Sequence, residues 1–308
     1  MIAPMAGGWD RFLETGRVPL GEWVEAIEKF VTTNLSGFFD VIRAIFKGMY
    51  DAVDTVFAGP PFWIIILVLV LAGLWVRGWK FALGMLAGLL LVVGVSQWEN
   101  AMHTLALVIV ASVIALIIAV PLGILTARSD TASAIVRPIL DFLQTMPAFV
   151  YLIPALVLFR VGVVPGIVAT IIFALAPGVR FTELGIRGVD REVVEAGQAF
   201  GASPGRILRQ IQLPLAMPTI MAGVNQVIML SLSMVVIAGM VGAEGLGTDV
   251  VAGLTQLNTG LGVEAGIGVV ILAVYLDRMT AALAKPRQRR FPRKRAAAAQ
   301  ETPAPVAA

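Results

Sequence analysis

The sequence contains no cysteine and one histidine, His103. Without cysteine there is no disulfide framework and no thiolate metal site, and a lone imidazole cannot assemble a zinc centre. Charge is scarce too. Charged residues make up 14% of the 308, against about a quarter in an ordinary soluble domain. No G-x-x-x-x-G-K-[ST] phosphate loop occurs, so the chain is not expected to hydrolyse ATP. Neither a bound metal nor a nucleic-acid partner is expected. The N-terminal residues show no basic run leading into an apolar core and a cleavage site, so no removable signal peptide is expected.

What remains is apolar: 58% of the residues, with a mean hydropathy of +0.88. Crossing ~30 Å of hydrocarbon takes ~20 mostly apolar residues at ~1.5 Å each. Seven stretches approach this, at 60–77, 79–96, 101–126, 138–160, 163–181, 215–241 and 263–283. The expectation is an all-α polytopic membrane protein. The first two stretches, separated by Arg77-Gly78-Trp79-Lys80, read as a two-helix hairpin over 59–97. The other five form a block over 98–283.

Lysine and arginine set the orientation. If the N-terminal tail faces out, the inward loops carry Arg77, Lys80, Arg128, Arg137, Arg180, Arg187, Arg191, Arg206, Arg209 and every base from Arg278 onward. Beyond residue 58 the outward loops carry only Arg160. The N-terminus is therefore expected outside and the C-terminus in the cytoplasm.

Residues 1–58 form an outward tail. Within it Trp23, Ile27, Phe30, Phe38, Ile42, Ile45, Met49, Val53 and Val56 recur at helical spacing, with Ser36-Gly37 as an interruption. An amphipathic helix follows, lying on the membrane surface or packed on another subunit. The final segment, 284–308, is basic and of low complexity, and is expected to be a disordered cytoplasmic tail. His103 reads as an interfacial residue. The base-free stretch VGAEGLGTDVVAGL (241–254) suits a re-entrant element, a contact surface or a flexible loop.

One inward loop has its own shape, EAGQAFGASPGRILRQIQLP over 195–214. A helix from Asp190 would end at Gly201, where a left-handed residue is commonly needed. Ser203 as N-cap and Pro204 at the first helical position would restart it. Ile207, Leu208 and Ile211 fall on one side of the second helix, Arg206, Arg209 and Gln210 elsewhere. From the residues alone, such a hairpin is either an elbow on the bilayer or a dock for a cytoplasmic partner.

The spacing of Glu195-Ala196-Gly197, Gly201, Ile211 and Leu213-Pro214 resembles the loop signature of ABC-importer permeases, with Gly197 in place of the family's second alanine. Over roughly 98–280 the chain resembles more narrowly the permease subunit of glycine betaine/proline betaine importers. The stretches that carry this are 104–130, 141–159, 213–247 and 262–278. The resemblance implies a permease core of the last five helices in a bacterial inner membrane. It also implies a second permease copy, cytoplasmic ATPase subunits that bind ATP and magnesium, and an extracytoplasmic substrate-binding protein. Glu195, Ala196, Gly197, Gly201, Ser203, Pro204, Ile211, Leu213 and Pro214 would then form the ATPase-coupling loop.

Candidate pathway groups are Gln144, Thr145, Phe149 and Tyr151 on the fourth span and Asn225, Gln226, Ser231 and Ser233 on the sixth. Each competes with a plainer role, bonding a neighbouring helix or packing. Phe149 and Tyr151 suit cation–π contact with a quaternary ammonium. A permease for choline, carnitine or another small polar solute fits the same residues. An ion-coupled carrier fits less well, because ionisable groups avoid the span centres.

Overall fold

The computed structural model describes residues 20–283, and all the regular elements among them are helical. Both 1–19 and the basic tail 284–308 lie outside the described residues. In order the helices are α1 (Leu20–Asn34), α2 (Ser36–Ala58), α3 (Phe62–Arg77), α4 (Trp79–Gly94), α5 (Trp98–Arg128), α6 (Asp130–Thr145), α7 (Ala148–Phe159) and α8 (Val163–Arg187). Then follow α9 (Arg191–Ala199), α10 (Pro204–Ile207), a π-helical turn (Leu208–Gln212), α11 (Leu213–Ser233), α12 (Val235–Gly239), α13 (Leu246–Thr255) and α14 (Thr259–Leu283).

Among the described residues, four helical stretches are long and apolar enough to cross a membrane: Trp98–Arg128, Val163–Arg187, Pro204–Gly239 and Thr259–Ala282. Two bent pairs, α2 with α3 and α6 with α7, bring the total to six if each is one span. The stretch expected as a single span at 138–160 is thus two helices meeting at 95°. Met146 leaves the helix extended (φ −71°, ψ 135°) immediately before Pro147, as the ring of a following proline favours. Hydropathy cannot detect this break, because apolar residues continue across it. Likewise α3 and α4 span only 16 residues each.

The core is a three-helix stack. α5 and α8 run side by side in parallel, and α11 returns antiparallel, packed on both of them. Small residues permit the approach. A β-carbon on Gly123 would sit 2.5 Å from Thr182 Cβ, and one on Gly178 would sit 2.7 Å from Ala119 Cβ. The α3–α4 hairpin packs outside, against α14, where Phe81 stacks on Tyr275 at 6.4 Å. Trp75 and Trp79 flank its tight turn and stand 82% and 66% exposed, as interfacial aromatics do.

The amphipathic segment breaks at Leu35, beside the expected Ser36-Gly37. One face of α2 has a partner that neither expectation named, the chain's own core. Phe39 meets Phe159 edge-on at 5.5 Å, Phe39, Ile42 and Phe46 cover Ala155 and Val164, and Met49, Val53 and Phe57 join the main cluster. His103, read as interfacial, is paired there: its Nδ1 lies 2.7 Å from Asp54 Oδ1. The opposite stripe of Phe38, Val41, Ile45 and Val56 is exposed.

Candidate functional site

The hairpin begins with a cap not singled out in the sequence. Asp190 Oδ1 accepts the amide of Glu192 at 3.0 Å, opening α9. The helix stops as expected: Gly201 takes φ +76°, and the amides of Phe200, Gly201 and Ala202 fold back onto Ala196, Gln198 and Gly197 carbonyls. Ser203 occupies the N-cap position before Pro204, but its hydroxyl makes no capping bond. Its backbone carbonyl instead accepts the amides of Arg206 (2.9 Å) and Ile207 (3.0 Å).

The second arm is not a separate surface helix. It passes through the π-turn at Leu208–Gln212 straight into α11, so helix runs from Pro204 to Gly239. Ile207 and Leu208 are buried, while Arg206, Arg209 and Gln210 are exposed. Leu208, Leu213, Ala216 and Ile220 form one cluster with Ile186 of α8, and Pro214 is exposed. The two arms touch at the position where this sequence departs from the signature. A β-carbon on Gly197 would come 2.7 Å from Ile211 Cδ1. At the tip Phe200 is 92% exposed, with Glu195 and Ala196 exposed on the same arm.

The eight candidate pathway residues divide. Tyr151 is buried and its hydroxyl donates to the Leu143 carbonyl across the α6–α7 bend. Asn225 donates to Asp277 Oδ1 at 3.0 Å and accepts from Thr280, both on α14. Each is therefore used as a fastener. Ser231 is fully buried, and its hydroxyl has no partner among the described residues. Gln144 is half-buried. Thr145, Phe149, Gln226 and Ser233 are exposed, although the hydroxyls of Thr145 and Ser233 return to their own helices.

The glycine-rich stretch at 241–254 is ordered, which removes the flexible-loop reading. Gly245 (φ +131°) lets the chain close on α5, where Leu246 N donates to Thr104 Oγ1 at 2.9 Å. Asp249 accepts from Gln97 Nε2 and Asn100 Nδ2, both at 2.8 Å. At ten residues α13 is too short to cross, and it packs against α14.

Compared with known proteins, residues 119–289 match the family described as binding-protein-dependent transport system inner membrane component. This chain belongs to that family. The permease is 48% identical to the glycine betaine/carnitine transport permease protein of Listeria monocytogenes, over 87% of this chain and 96% of that one. It is 45% identical to the glycine betaine transport system permease protein of Bacillus subtilis, over 86% and 94%. Its fold is similar to that of the MetNI methionine ABC transporter in an inward-facing conformation. The TM-score is 0.55 at 21% identity, covering 61% of this chain and 94% of that one.

The hairpin falls inside the matched segment. The permease also contains features that sequence reasoning missed. The Asp190 cap had a readable signal, an aspartate ahead of a run of helix formers. The π-turn had none, since its i→i+5 pairing depends on where α11 is held from the other side.

Proposed function

We propose that the chain is the transmembrane permease subunit of an ATP-driven importer for glycine betaine or a related quaternary ammonium solute. The observation that carries this is the hairpin, an exposed two-armed element continuous with a helix of spanning length. Its geometry supports the coupling role of Glu195, Ala196, Gly197, Gly201, Ser203, Pro204, Ile211, Leu213 and Pro214. A partner ATPase that binds ATP and magnesium would grip α9 and the Gly201 turn, and the stiff connection into α11 would carry the displacement into the membrane. The arginines around the hairpin support its placement in the cytoplasm, with the α2 side outside.

The substrate class rests on the relatives. Within this reading the exposed Gln226 matters, because a primary amide facing hydrocarbon is costly. It would instead face a second permease copy or a water-filled path, together with Ser233. Phe149, also exposed, offers a ring face to a quaternary ammonium without a buried countercharge. Substrate would be delivered by an extracytoplasmic binding protein.

The test is uptake of labelled glycine betaine into vesicles containing the permease, its partner ATPase and its binding protein. Uptake that requires all three and ATP is expected. Uptake by this chain alone, driven by an ion gradient, would overturn the reading. Choline or carnitine uptake in place of betaine would move the substrate assignment only.

A further inference from the structure

One buried carboxylate ties α6 to the end of α8 that leads into the hairpin. Glu183, near the end of α8, is 3% exposed. It accepts from Ser133 Oγ (2.8 Å) and Arg137 Nη2 (2.8 Å), both on α6, and forms an ion pair with Arg187 (Nε–Oε1 3.0 Å), one turn along α8. Arg187 reaches onward, donating to Asp130 Oδ1 at the start of α6 and to the Thr126 carbonyl in the last turn of α5, both at 2.7 Å. A second pair, Arg180 with Asp141, joins α8 to α6 one turn away.

Desolvating such charges is expensive, and apolar residues commonly hold helices together as well or better. Here they already do so, since Leu140 and Val136 of α6 pack on Ala176 and Val179 of α8. The ionic node adds direction rather than adhesion. Arg187 stands three residues before Asp190, which caps α9. α6 leads through the 95° bend at Pro147 into α7, which bears Phe149.

We propose that Glu183 is a positioning residue of transport, locking α6 to the hairpin-bearing end of α8 so that movement of the hairpin is delivered to α6 and, through the bend, to α7. The proposal rests on the transport reading above. The buried carboxylate with its two guanidiniums is a fixed linkage: α6 cannot stay behind when the end of α8 moves without leaving Glu183 short of a partner.

Two variants test it in vesicles with the partner ATPase and binding protein, Glu183→Gln and Arg137→Gln. Both are expected to assemble with the ATPase and to hydrolyse ATP near the unaltered rate. Betaine taken up per ATP should fall about tenfold, within the ordinary span of coupling energies, and Arg137→Lys should restore part of the ratio. If Glu183→Gln does not assemble, Arg137→Gln carries the test. Its side chain is 58% exposed, and its loss leaves Glu183 held by Ser133 and Arg187. Uptake and hydrolysis falling in parallel would reduce the node to structural support and overturn the proposal, as would an unchanged ratio. Failure of the unaltered chain to transport would instead strike the transport reading.

Discussion

Gly201 and Gly197 lie four residues apart and are glycines for different reasons. At Gly201 a β-carbon would touch nothing within 4 Å, but φ is +76°. The constraint is therefore backbone conformation, worth roughly 1–2 kcal/mol for a residue with a β-carbon. Gly201→Leu should leave the protein inserted but abolish co-purification with the ATPase, whereas Gly201→Asn, which visits that region more easily, should retain much of it. At Gly197 the constraint is contact with the tip of a flexible isoleucine side chain. Gly197→Ala should be close to neutral in thermal stability, the gain in helix propensity of about 1 kcal/mol offsetting a shifted Ile211. Phe200 is so exposed that Phe200→Ala should not change the melting temperature of the isolated permease. It should weaken ATPase binding by about 2 kcal/mol or more if the ring is an anchor, as buried interface aromatics often are. A titration of ATPase onto the purified permease would read this.

Among the elements, those that obey local signals were legible and those decided by distant packing were not. The hairpin could be read from the sequence because Gly201 and Pro204 act on their own backbone. The amphipathic helix was readable as a helix, but an apolar stripe does not say what covers it, and α2 covers the chain's own core through Phe39 and Met49. Asn225 shows the same ambiguity in the opposite sense: an amide inside a spanning helix reads identically whether it lines a path or, as here, holds α14. α13 gained its order from a partner far away in sequence, Thr104. Thr104→Val should remove the hydroxyl that accepts from the buried Leu246 amide, lowering stability by roughly 1–3 kcal/mol in a thermal melt. ATPase co-purification should be unaffected, because the hairpin lies at the other end of the bundle.

For the whole molecule, the distribution of arginine predicts one orientation, and the absence of native cysteine makes it simple to check. A single cysteine at Val193, on the exposed face of α9, should react with an impermeant maleimide only from the cytoplasmic side. One at Leu257, 88% exposed between α13 and α14, should react only from outside. Labelling of both from the same side would contradict the arrangement of the spans.

The helical run from Pro204 to Gly239, with its π-turn at Leu208–Gln212 and a turn at Met234, covers 36 residues, up to about 54 Å at the usual rise and well beyond the hydrocarbon thickness. Near its middle, at Gly223, it presses most closely on α8: a β-carbon there would fall 2.6 Å from Phe181 Cβ. A long helical element gripped near its midpoint can act as a seesaw. Tilting its hairpin end toward the bundle axis would swing the far arm away by a similar distance, so that, in the proposed orientation, opening on one face and closing on the other would become a single motion about one fulcrum.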